Sequence, residues 1–289
     1  MISIITTLKN RANLLRYGLE GILRQDYWGK SGDTIELNIG DGGSDDGLDD
    51  LLLDMSRHPS ISIIKKYTID RTKSVYNHTQ NCPAEELNML VKLSNNPTVI
   101  KLDPEAVLVD NTFISESMEI LQKYPESIIM PFPLHCYKFN YDNFDDILLQ
   151  WGKYSFKTHI QEDNARDTNV YYLAVFNKDP FIKLGGIDEQ FIQFRGSEDN
   201  HFLNQWQQHY GYDSRITLLN RIVLHLYHDE LGNGHIPTNL MMPIHQGQEL
   251  AQRLKNTPPN FGRDWGRFNS ITKKEHFYKG RKVYESKPF

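Results

Sequence analysis

The chain has 289 residues with 32 basic and 37 acidic side chains, a net charge of −5, which argues against a nucleic-acid binder whose affinity rests on neutralising phosphates. A hydrophobic share of 39% with 19 glycines is that of ordinary globular proteins and excludes global disorder; no run approaches the roughly 18 to 20 apolar residues of a spanning helix, and the apolar start of MISIITTLKNR is too short for a secretory signal. Two cysteines, Cys82 and Cys136, exclude a disulfide framework and a thiolate zinc cluster, favour a reducing, cytoplasmic setting, and leave any metal to oxygen and imidazole ligands.

In chain order, Ile2 to Thr7 is a β-branched run that predicts a buried strand. Leu14, Leu15, Gly18, Leu19, Ile22 and Leu23 then recur at helical spacing, and Ile35 to Ile39 resumes a strand. The alternation continues with a helix through Leu48, Leu51, Leu52 and Met55, a strand over Ile61 to Lys65, a helix opened by proline over Pro83 to Ser94, and a strand over Thr98 to Leu102. Farther on, Asp110 to Lys123 and Ser197 to Tyr210 read as helices, and Val170 to Phe176 and Arg221 to Tyr227 as strands. This is an α/β fold with a mostly parallel sheet covered on both faces. From about Gly232 the pattern fades into a tail rich in proline, aromatic and basic residues, expected to wrap the domain or close over a site.

Ligands of such sheets sit beyond the carboxyl ends of the strands, so the loops there carry the chemistry. IGDGGSDDG (Ile39 to Gly47) follows a strand and precedes a helix. It misses the third glycine of a dinucleotide fingerprint and the lysine of a P-loop, and its residues are also plain turn formers. In IKLDPEAVL (Ile100 to Leu108) a strand ends in Asp103 and Glu105, which an extended backbone points to one side, as a Mg²⁺ or Mn²⁺ ion requires; a solvated turn is the competing explanation. Ser197 is a fitting N-cap, and Glu198 and Asp199 in the first turn suit the helix dipole, or one of them faces the cleft as a general base. VLHLYHDE (Val223 to Glu230) puts His225 and His228 at a strand end, where imidazole could complete a metal site. Of the tryptophans Trp151, Trp206 and Trp265, only Trp265, in the Arg-rich tail, is put forward for stacking on a sugar ring.

Taken in order, SIITTLKNR, DGGSDDG, LDPE, GGIDEQFIQFRGSED and HLYHD, over about residues 2 to 230, resemble the family-2 glycosyltransferases of the GT-A fold. The GGIDEQF stretch with its SED is similar to a segment of β-galactosyltransferases and chondroitin-type polymerases. The resemblance implies a Rossmann-like GT-A domain over residues 1–230, with a nucleotide-binding half (about 1–110), an acceptor half (111–230) and a C-terminal extension (231–289). It implies an inverting, metal-assisted transfer from a nucleotide-sugar, UDP-hexose or UDP-N-acetylhexosamine, to a glycan or lipid-linked acceptor hydroxyl, in polysaccharide biosynthesis, with any membrane contact peripheral. By the same resemblance Thr7 and Arg11 hold uracil and diphosphate, and Asp41 contacts the base. Asp103 and Glu105 stand for the family's DxD and hold Mn²⁺ or Mg²⁺ on the donor diphosphate. His225 or His228, with His225 favoured, is a further metal ligand, and Asp199 beside Glu198 is the catalytic base. In PAEELNML only Asn88 matches the donor-side helix; Leu87 and Leu90 replace its arginine and glycine, which would either weaken phosphate binding or shift it to Arg71 or Lys73. The alternative is an inactive GT-A module that binds nucleotide or glycan.

Overall fold

Ile2–Leu8 (β1) and Ile35–Asp41 (β2) are buried at almost every position, as strands covered on both faces must be. The computed structural model describes residues 1–70, 83–135, 142–151, 172–193, 197–226 and 238–284. Arg71, Lys73, Cys82, Cys136 and His228 lie outside them. The other strands are Ile61–Ile69 (β3), Thr98–Leu102 (β4), Ala106–Leu108 (β5), Ile128–His135 (β6), Leu173–Asn177 (β7), Arg215–His225 (β8), Ile271–Tyr278 (β9) and Arg281–Tyr284 (β10). They form one sheet in the order β10-β9-β3-β2-β1-β4-β7-β6-β8-β5.

The parallel order expected from the alternation holds for β3, β2, β1 and β4. Beyond them β7 runs antiparallel to β4 and β6, β8 is parallel to β6, and β5 is antiparallel to β8. The tail does not fade: β9 pairs antiparallel with β3, placing Phe277 beside Ile64, and β10 folds back on β9.

Helices cover both faces. Ala12–Leu23 (α1), Leu48–Met55 (α3) and Phe113–Lys123 (α5) bury Leu15, Leu19, Leu51 and Phe113 against Ile2, Ile4, Ile100 and Val175. On the opposite face Ala84–Leu93 (α4), Lys178–Leu184 (α7), Glu198–Tyr210 (α8) and Thr238–Arg253 (α9) bury Leu90, Phe181, Trp206 and Leu250 against Ile5, Val99 and Phe176. Successive strand residues feed alternate cores, Ile4 one and Ile5 the other, as the period of two requires. Two further α-helices among the described residues are short, Tyr27–Ser31 (α2) and Phe144–Trp151 (α6). α1 presses its glycine face onto β5: a Cβ at Gly18 would lie 2.9 Å from the Ala106 carbonyl oxygen, and one at Gly21 2.9 Å from that of Leu108. That close approach seats the start of α1 beside the loop carrying Asp103 and Glu105.

Candidate active site

β1, β2 and β4 are adjacent and parallel, so the loops that follow them share one edge of the sheet. The first two loops are laced together. Asn10, in a left-handed conformation (φ 54°), donates its N–H to Ser44 Oγ (2.9 Å) and accepts from the Asp45 N–H (2.9 Å), while Asp46 Oδ2 receives the Ala12 N–H (2.7 Å) at the start of α1. Ser44 and Asp46 thus have a structural task. Asp41 is buried, and its Oδ1 accepts from the N–H groups of Gly43 (3.1 Å) and Ser44 (2.8 Å), with Lys66 Nζ 3.8 Å from Oδ2. Thr7 sits beside Gly40 in register and is half-buried.

On the other side, Arg11 Nη1 donates to Glu105 Oε1 at 2.8 Å, and His225 Nε2 lies 3.4 Å from the same oxygen. The pairing of β5 with β8, Ala106 opposite His225, brings the histidine there. Lys101 Nζ, on an otherwise apolar strand, reaches Asp103 Oδ1 at 2.7 Å. The Tyr172 ring packs against His225 with centroids 4.2 Å apart, and its carbonyl accepts the Asp103 N–H (2.8 Å).

Asp199 belongs to the same electrostatic neighbourhood. Burial pushes its carboxyl well above the ordinary aspartate range; Lys101 pulls it back, and Glu198 and Asp103 push it further up. Asp103 is raised likewise, by burial first, against the pull of Lys101 and with a push from Glu105, although a quarter (25%) of its side chain meets solvent. Tyr172 is also raised, by burial and then by Asp103, Asp199 and Glu105. The DPE loop and the start of α8 are therefore close enough for their charges to act on one another, and Lys101 acts on both.

Three features depart from expectation. Ser197 precedes α8 in a left-handed conformation (φ 73°) and makes no side-chain cap hydrogen bond, so the N-cap explanation for this serine does not hold, and the backbone is strained next to the candidate base. Asn88 is buried with its amide spent on the Ile187 carbonyl (2.8 Å), Glu189 Oε1 (2.9 Å) and the Ile187 N–H (2.8 Å). Trp265 packs its ring against Gly186, where a Cβ would lie 2.7 Å from Cζ3, and Lys92 Nζ stands 4.0 Å from the ring centroid. Trp206 is core, its indole N–H on the Glu126 carbonyl at 2.9 Å.

Among the described residues no three His, Cys, Asp or Glu side chains form a cluster ready to hold a metal ion. The donor chemistry nevertheless suits Mg²⁺ or Mn²⁺: two carboxylates and an imidazole, crowded enough for Glu105 to raise the Asp103 carboxyl. In this arrangement Lys101 and Arg11 stand on those carboxylates.

Solved structures share this fold. A mannosyltransferase from Pyrobaculum calidifontis, in complex with GDP-Man and Mn²⁺, aligns over 79% of this chain with a TM-score of 0.53 at 18% identity. S. aureus TarS 1-349 in complex with UDP gives 0.52 over 78% at 10% identity, and GalNAc-T7 with UDP, GalNAc and Mn²⁺ gives 0.55 over 82% at 13%. The fold is GT-A. The chain spans 57%, 60% and 45% of the lengths of these GT-A structures. No protein-family model matches the sequence, and no curated protein does. Within the GT-A frame, sequence reasoning missed Lys101, whose signal was a lone charge inside the strand TVIKL, and Tyr172, for which the sequence carried no signal.

Proposed function

We propose that this chain is an inverting glycosyltransferase that takes a sugar from a UDP-sugar, a hexose or N-acetylhexosamine, and gives it to a hydroxyl of a glycan or lipid-linked acceptor. The observation that carries this is the carboxylate of Asp199 at the start of α8, within reach of the charges of Lys101 and Asp103, beside which Glu105 and Arg11 pair. Support for a nucleotide-sugar donor comes from the GT-A structures solved with GDP-Man or UDP.

In this reading Asp199 accepts the acceptor O–H proton as that oxygen bonds to the anomeric carbon. The bond from that carbon to the diphosphate breaks, and its electron pair leaves on the phosphate oxygen. Arg11 and Lys101 supply positive charge to the departing diphosphate. A divalent ion, when bound, would be held by Asp103 and Glu105 with His225 or His228 and would supply further positive charge there. Thr7 and Asp41 line the base end, while Asn88 acts from behind by holding Ile187 and Glu189. A cytoplasmic role in building polysaccharide or lipid-linked glycan fits this chemistry, with any membrane contact peripheral. No helix among the described residues is long and apolar enough to cross a membrane.

Thermal unfolding with UDP at about 100 times its Kd, first with Mn²⁺ and then with chelator, tests the donor site. Binding at that excess adds about 2.7 kcal/mol, a rise of several degrees at roughly 2 to 4 °C per kcal/mol. A shift with Mn²⁺ supports the metal ligands, and one that survives chelation assigns the diphosphate to Arg11 and Lys101. A shift with GDP but not UDP overturns the donor, and none with either overturns the function.

A further inference from the structure

The stretch joining α9 to β9 is bound to residues 185–189, which precede α8 in the chain. Asp188 is almost fully buried (1% exposed), and Arg263 Nη2 contacts both its carboxylate oxygens, at 2.8 and 3.0 Å. Asn260, itself left-handed (φ 53°), donates its amide to the carbonyls of Gly185 and Ile187 (2.8 Å each) and accepts the Glu189 N–H (3.0 Å). Glu189 Oε1 in turn receives the Gly266 N–H at 2.7 Å. Trp265 fills the space left by the missing Cβ of Gly186. Each residue from 185 to 189 is thereby fixed by side chain, backbone or ring from residues 260–266.

The same segment also holds α8 from beyond the strained residue. Gln205 donates to the carbonyls of Lys255 (2.7 Å) and Leu254 (3.4 Å), and His201 Nε2 lies 3.5 Å from the latter. A serine at φ 73° is strained and persists only when its surroundings over-determine it. Ser197 is flanked upstream by 185–189 and downstream by His201 and Gln205, and both flanks are tied to residues 254–266.

We infer that Arg263 and Asn260 are positioning residues for the reaction, holding Gly185–Glu189 while the neighbouring residues 254–255 hold α8, so that the strained backbone at Ser197 keeps Asp199 in place near Asp103 and Lys101. The C-terminal segment is then part of the active-site apparatus. This rests on Asp199 being the base, and the test separates the two claims.

Arg263→Met and Arg263→Lys are made in the full chain, with Asn260→Ala as a second break if Arg263→Met does not fold. Hydrogen exchange of the amides of 198–205 is measured without ligand, and UDP release from UDP-GlcNAc and UDP-galactose is followed against pH. In Arg263→Met, faster exchange at 198–205 with 2–41 unchanged is expected. So are a kcat lower by roughly 10- to 100-fold, the cost of a misplaced catalytic group, a displaced rising limb of the pH profile, and unaltered donor KM. Arg263→Lys should recover part of the kcat. Wild-type exchange at 198–205, or a fall in kcat matched by loss of UDP binding and of melting temperature, overturns the inference. If wild type releases no UDP and binds none, the function fails, while the exchange data still decide whether these residues hold the turn.

Discussion

A carboxylate that ionises against burial is under strain of a useful kind. Because the folded chain holds the Asp199 proton more tightly than the unfolded chain does, stability falls as pH rises from the ordinary aspartate range through its raised value. Asp199→Asn should therefore unfold at a higher temperature than wild type at neutral pH. The gain should vanish below about pH 3.8, where the carboxyl is protonated in both states. The same substitution should lower kcat by about 10² to 10⁴-fold while leaving UDP binding intact; near-normal turnover would remove Asp199 from the base role. The acids themselves were legible, because a strand that stops at Asp41 or Asp103 must leave that residue at the sheet's carboxyl edge. Their partners were not. Lys101 sits four residues after Pro97 in a strand whose neighbours are buried, and only the tertiary fold shows that its ammonium bends toward Asp103 and Asp199.

Among the elements, α1, α3, α4, α5 and α8 and strands β1 to β4 are readable from period, since each buries apolar residues at that period, whereas α6, α7, α9 and β6 are not. β8 was read short, as Arg221 to Tyr227, because its first half is half-buried or exposed and carries Leu219 out to solvent. β9 carries no signal of its own: its exposed positions are Thr272, Lys273 and Tyr278 and its buried ones include Glu275, so alternation says nothing without the partner charges. The Gly185-Gly186 turn was visible as a motif, but its purpose was not. With φ 73° and Trp265 and Asn88 both inside 3 Å of a would-be Cβ, Gly186→Ala should destabilise the fold by about 1 to 3 kcal/mol through overpacking. Urea unfolding with an unchanged slope would show it; a wild-type midpoint would mean that the tryptophan can move aside.

For the molecule as a whole, the joint between β3 and β9 is electrostatic as well as hydrogen-bonded. Burial pushes the Glu275 carboxyl up, but Lys273, Lys282 and Lys66 outweigh it and bring it down to about 2. Their ammonium groups lie 2.8, 2.7 and 2.9 Å away. The stability this group contributes is complete above the ordinary value of 4.5 and is lost as pH falls through about 2. Glu275→Gln should cost on the order of 3 kcal/mol at pH 7, as breaking a buried pair does, and should flatten the acid limb of stability between pH 4.5 and 2. An acid limb as steep as wild type's would assign it to other carboxylates.

Synthesis also meets this joint. The Gly280 N–H bonds to Ser56 Oγ across 224 residues, so at about 5 to 20 residues per second the ribosome takes roughly 10 to 45 s to supply a partner for an edge made early. Through that interval β3 is the sheet's open border, with a buried-type lysine, Lys66, and no Glu275 to meet it. A nascent chain of this protein thus depends on β9 and β10 to leave the aggregation-prone stage, and slower translation prolongs its exposure to chaperones.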